Sequence, residues 1–101
     1  MNISTNATHY YPQSFQAGRR VIIEICGADF SGGTVTPGFK AADGEFSPFL
    51  KSDGTAITTT TRGGFEVRVP RSGVLGITLE GGTNPAIVLD IIHAVEMPPG
   101  S

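Results

Sequence analysis

The sequence predicts an all-β protein: an antiparallel β-sandwich of about seven strands, Ig-like or jelly-roll-like, with an extended N-terminal arm. Three observations lead there. Glycine and proline, 14 and 7 of 101 residues, make up about a fifth of the chain and fall between short apolar runs. Those runs are rich in β-branched residues, and several alternate apolar with polar side chains, the period of two that a half-buried strand requires. No window sustains the 3.6-residue apolar period of a helix, so little or no helix is expected. Turn signals recurring about every 8 to 12 residues point to a sandwich or small barrel. The sandwich is favoured because single inward stripes suit two sheets packed about 10 Å apart.

Residues 1–17 carry His9, Tyr10, Tyr11 and Phe15 but no strand pattern of their own. They are expected to form the arm, with the aromatic side chains docking on a neighbouring molecule. The sandwich domain is placed at 18–96 and a flexible tail at 97–101. Its first strand, Arg20 to Gly27, is rich in β-branched residues (Val21, Ile22, Ile23, Ile25). Asp29 to Gly33 turns the chain, with Phe30 tucked beneath. Thr34 to Ala41 alternates, placing Val35, Pro37 and Phe39 on one face. Proline cannot donate to a sheet ladder, so this strand is expected at an edge or bulged. Asp43-Gly44 reads as a hairpin turn, because both residues accept the positive φ such turns need. Phe46 to Lys51 is a short strand containing Pro48, Asp53-Gly54 a second turn, and Ala56 to Thr61 a threonine-rich strand. Phe65, Val67 and Val69 then point inward, with Glu66 and Arg68 outward. A turn over Pro70–Gly73 leads to Val74–Glu80, with Leu75, Ile77 and Leu79 inward. Ala86 to Val95 closes the fold.

The strands at 20–27 and 86–95 stand apart from the others, being apolar on nearly both faces. If Ile87, Leu89 and Ile91 face the core, Val88, Asp90 and Ile92 face away from it. The simplest arrangement pairs these two strands at the centre of one sheet whose outer side is covered. A solitary soluble monomer rarely leaves such a stripe open. Ile22, Val88 and Ile92, with Tyr10, Tyr11 and Phe15 of the arm, are therefore the candidate assembly-interface residues.

Composition narrows the function. Charged residues are 16% of the chain, against about 25% in an average soluble domain. That deficit suits a surface partly covered by other subunits. The net charge is −2, and the seven basic residues are scattered apart from Arg19-Arg20. Phosphate recognition needs clustered cations, so nucleic acid is not an expected partner. The single cysteine, Cys26, admits no disulfide within the chain and reads as a small buried hydrophobe. No run approaches the roughly 20 apolar residues of a membrane helix, and the first residues show no signal-peptide pattern. His9 and His93 are far apart, and no Cys or His spacing suits zinc. Asp43 and Asp53 precede glycine as turn formers, not as calcium ligands. No catalytic constellation, metal site or cofactor site is expected. The absence of Trp also weighs against a surface that stacks sugars.

The run "FSGGTVTPGFKAADGEFSPF" and the later "SDGTAITTTTRGGFEVRVPRSGVLGITLEGGTNPAIVLDI" resemble small β-sandwich structural and accessory proteins of tailed bacteriophages. The matching pieces are Gly33–Thr36, Asp53–Thr61, the hairpin Phe65–Gly73 and Pro85–Ile91, within a resemblance that covers about 60 residues. The resemblance implies a non-enzymatic virion protein made in the host cytoplasm, such as a capsid decoration or cement protein. Its partners would be further copies of itself, for example in a trimer, and a major capsid or other virion protein. The alternative expectation is a receptor- or carbohydrate-binding module of a tail or adhesin.

Overall fold

The computed structural model describes residues 1–30, 32–83 and 85–93, without the side chains of Ala28, Asp29 and His93. All the described secondary structure is β, in eight strands: β1 (Asn2–Ile3), β2 (Thr8–Phe15), β3 (Arg20–Asp29), β4 (Thr34–Lys40), β5 (Phe46–Pro48), β6 (Gly63–Arg68), β7 (Gly73–Glu80) and β8 (Ala86–His93). Two four-stranded antiparallel sheets form, a front sheet ordered β1-β8-β3-β6 and a back sheet ordered β2-β7-β4-β5. The expected strand end at Ala94–Val95 and the tail 97–101 lie outside the described residues.

Alternation puts one apolar stripe of each strand between the sheets. Val21, Ile23 and Ile25 of β3 and Ile87, Leu89 and Ile91 of β8 face Leu75, Ile77 and Leu79 of β7 and Val35 of β4, all buried. β3 and β8 pair through residues 21–25 and 89–93 at the centre of the front sheet, where their two-faced apolar pattern places them.

The first 17 residues do not form an arm. Met1 and Leu89 exchange both terminal and backbone hydrogen bonds at 2.8 Å, which starts β1 against β8. β2 runs along β7, with Thr8 opposite Thr78 and Phe15 opposite Gly73. Ile3 and Phe15 are core residues, 1% and 4% exposed. The strand character of β2 is hidden because its register slips between Tyr10 and Ser14. Its inward residues therefore do not keep a single parity.

Three further expectations change. Residues 56–61 are not a strand. They touch the back sheet through one isolated bridge, Val35 with Thr59, and pair with the chain beyond β5 through another, Leu50 with Ala56. β4 is not an edge strand, since β7 and β5 flank it. Pro37 fits there because its carbonyl, and so its missing N–H, faces β5: Pro37 O accepts from Phe49 N at 3.0 Å. The carbonyl of Phe49, left without that donor, accepts from Ile57 N at 2.9 Å instead. The proline is thus satisfied by the chain that returns from the 50–56 excursion, and the β4–β7 ladder is untouched. Finally, β6 and β7 belong to different sheets, so residues 70–73 cross the core edge and form no hairpin. Pro70 cannot extend a ladder, and Gly73, at φ 150°, redirects the chain.

The two Asp-Gly turns form as expected. Glu45 N donates to Asp43, and Thr55 donates to Asp53 through both its N and its Oγ1, at 3.0 and 2.6 Å. The Thr55 hydroxyl, followed by its N–H, holds the Asp53 carboxyl below the usual carboxylate range.

Candidate assembly surface

The strand register builds the outer face of the front sheet row by row. Arg20 of β3 lies opposite Arg68 of β6. In the next row Ile22 stands between Glu66 and Ile92. Glu24 then stands between Gly64 and Asp90, and Cys26 lies opposite Val88, which also pairs with Asn2. Ile22 and Val88 are half-buried and Ile92 is 42% exposed. An exposed isoleucine directly across from another is the seam of an apolar stripe that no described residue covers.

The charges on this face are segregated. Arg20 forms an ion pair with Glu66, both side chains being more than two-fifths exposed. Such a solvated pair contributes little. Arg68 reaches the carbonyl of Gly18 at 3.3 Å. Glu24 and Asp90 meet as like charges directly across two strands, an arrangement that costs free energy. Among the described residues neither has a cationic partner within an ion-pair distance. Among the described residues, the polar partner of the Glu24 side chain is the Cys26 thiol, with Sγ 4.0 Å from its Oε1. Gly64 contributes no side chain beside it, and Glu24, Cys26 and Arg62 line the resulting notch of about 260 Å³. A second hollow of about 350 Å³ follows the β1 border between Asn2 and Val88.

The six candidate interface residues separate into two groups. Ile22, Val88 and Ile92 share the face just described. Phe15 is inside the core. Tyr11 covers the part of β8 beyond the short β1: its hydroxyl donates to Asp90 Oδ1 at 3.0 Å, and the same oxygen accepts from Ile91 N at 2.9 Å. This hydrogen bond, helped by burial and the carboxylate charge, raises the Tyr11 phenol above its ordinary value. Tyr10 lies on the outer face of the back sheet. Its ring centroid is 6.5 Å from that of Phe46, and the Lys40 ammonium stands 5.4 Å from it. The two rings lie over glycines: a Cβ on Gly76 would come within 2.9 Å of Tyr10 Cδ1, and one on Gly38 within 2.5 Å of Phe46 Cζ.

Other polar residues have local structural partners. His9 Nε2 lies 2.9 Å from the carbonyl of Thr5. Asn6 both donates to and accepts from Gly82, tying the β1–β2 connection to the β7–β8 turn. Among the described residues no three His, Cys, Asp or Glu groups come together to hold a metal ion. The pairing of His93 with Asp90 or Asp29 that an enzyme reading would need involves side chains outside the described residues.

Sequence reasoning missed the opposition of Glu24 to Asp90 and of Arg20 to Arg68, and the glycine seats of Tyr10 and Phe46. Each depends on interstrand register, which a single strand's pattern does not carry. No family model matches the chain, and no curated protein or solved structure matches it either.

Proposed function

We propose that this protein is a non-enzymatic structural protein that assembles through the outer face of its front sheet, as a decoration or cement protein of a virion. The observation that carries the reading is the Ile22–Ile92 seam, with Glu66 at its border and the Glu24–Asp90 row between it and the Cys26–Val88 pair. Its two isoleucines are in register and uncovered among the described residues. Burying such a stripe is worth about 25 cal/mol per Å² before association costs. Many repeated copies on a shell would sum small contributions into resistance to expansion.

The fold reading that goes with this function is the jelly roll. Strand β1 pairs with β8, β2 with β7, β3 with β6 and β4 with β5, as in one long antiparallel ribbon rolled up until alternate pairs fall into opposite sheets. An Ig-like order lacks that nesting. Jelly rolls serve in viral capsid and lectin domains alike, so the fold supports a virion role without selecting it.

Virions assembled in the presence of wild-type protein or of an Ile22→Arg/Ile92→Arg variant test the proposal. After gradient purification the wild type should band with the particles and the variant should stay in the supernatant, with both melting cooperatively. A wild type that never bands with particles sinks the virion role. A variant that decorates normally sinks this face as the docking surface.

The second reading, a glycan-binding module, rests on the half-buried Tyr10–Phe46 pair of the back sheet. Lys40 already stands over the Tyr10 ring, which leaves less of it for a sugar. A glycan array on which wild type scores and Tyr10→Ala does not would favour that reading.

A further inference from the structure

We infer that the occupant of the front face is a second copy of this chain, docked by a two-fold axis lying in the interface and running across the strands through the Ile22–Ile92 row. The inference rests on the docking reading above and names its partner. It starts from the order of the rows along β3: cations at Arg20 and Arg68, isoleucines at Ile22 and Ile92 with Glu66 at their border, carboxylates at Glu24 and Asp90. Residues two apart on a strand are about 6.7 Å apart, so the cationic and anionic rows lie equally far on either side of the apolar one.

A self-complementary surface must map onto itself under its own symmetry operator. Rotation about the axis across the strands reverses the rows and keeps the columns. Ile22 and Ile92 of one copy then meet Ile22 and Ile92 of the other, while Arg20 meets Glu24. Arg68 meets the Gly64 position, where the missing side chain leaves the notch beside Glu24. Glu24, which faces Asp90 without a cation of its own, receives the partner's Arg20, and the empty place on β6 receives the guanidinium of Arg68. Glu66 meets Glu66 at the border of the face, where each is exposed and Arg20 stands between its own Glu66 and the partner's Glu24. The other in-plane axis, parallel to the strands, would set Arg20 on Arg20 and Glu24 on Glu24. Like charges in register disfavour it, so the charge order selects one operator. Four strands span only about 19 Å. That size belongs to weak, exchanging interfaces, not obligate dimers.

Sedimentation equilibrium of the purified full chain, from about 10 µM to about 1 mM, tests this with Arg20→Glu and Glu24→Lys as single charge reversals. The wild type should show a monomer–dimer equilibrium that weakens with salt. Each reversal alone sets two like-charge pairs across the axis, and should weaken dimerisation by about tenfold. An equimolar mixture of the two should recover dimers, because the lysine introduced in one copy then faces the glutamate introduced in the other. Arg68→Glu replaces Arg20→Glu if the latter does not melt cooperatively. A wild type that stays monomeric to about 1 mM overturns the inference, as does a trimer, or a mixture that recovers nothing. If those results come with Ile22→Arg/Ile92→Arg still detaching the protein from particles, the docking reading stands and its partner is a different protein.

Discussion

The two outer faces of this sandwich solve the same problem differently. On the back sheet, Gly38 and Gly76 sit side by side, and Phe46 and Tyr10 lie across them. The next row is Thr8, Thr78 and Thr36 across three strands, with the first two hydroxyls 2.8 Å apart. That face covers its backbone with its own rings and pairs its own polar groups. The front face has isoleucines opposite each other and carboxylates opposite each other; Tyr11 reaches Asp90, but among the described residues no cation pairs with either carboxylate. A sheet with its cover built in can face water. A sheet that holds apolar area and like charge in fixed register is the one on which we propose a partner docks.

The comparison fails first if the sandwich does not need residues 1–15, for then β1 and β2 would be appendages and the faces would extend differently. Deleting them removes Ile3 and Phe15 from the core and opens the sides of β8 and β7. Truncating one buried side chain of this kind costs about 2–5 kcal/mol, against a total stability of about 5–15 kcal/mol. The deletion should abolish the cooperative thermal transition. A truncated chain that still melts sharply would show that the first strands contribute little.

The faces can next be set against each other by outward substitutions. Gly76→Val drives a side chain into Tyr10 and the His9 carbonyl, and should cost about 3 kcal/mol or more, because β2 must shift off β7. Ile92→Thr, also outward and mid-sheet, should change monomer stability by under about 0.5 kcal/mol in dilute solution, where no described residue covers it. Urea titrations of the two variants check this. Equal costs would mean that the front face is not open.

These positions also show how far the sequence can be read. The inward parity of β3, β4, β7 and β8 is legible because alternation is local. So is the two-faced character of β3 and β8, and with it Ile22, Val88 and Ile92. Residues 1–17 read as an arm because the bulge between Tyr10 and Ser14 breaks the parity of β2, and because β1 has only two residues. The threonines of 56–61 have strand propensity, but the second Asp-Gly turn returns the chain where Phe49 needs a donor for Pro37's sake, and propensity yields to that tertiary demand. The charge rows of the front face depend wholly on which residue of β3 stands opposite which of β6 and β8.

Tyr11 marks the border between the faces, since it rises from β2 and donates to Asp90 on the front sheet. A carboxylate acceptor favours the protonated phenol, so the folded value lies above the ordinary 10.0. For a group shifted in that direction, the stabilisation is present in full below pH 10 and is lost as pH rises through the folded value. Tyr11→Phe should therefore lower the melting temperature near neutral pH, and the gap to wild type should close as the pH climbs above 10. A gap independent of pH would mean that the hydroxyl contributes through packing alone.

The smallest effect separates the two faces most sharply, because it has opposite signs in two measurements. Glu24→Gln removes one of two like charges directly across β3 and β8 while keeping the shape of the side chain. In the monomer that relief should raise stability by about 0.5 kcal/mol, the scale of a cross-strand pair. In the dimer the same change removes an anion that the partner's Arg20 is placed to meet, so self-association should weaken. A threonine of the back face, such as Thr36→Val, should move neither quantity in that opposed way, since its row has no unmet charge. If Glu24→Gln destabilises the monomer, the Glu24–Asp90 pair is already balanced within the chain, and the front face has no electrostatic reason to be covered.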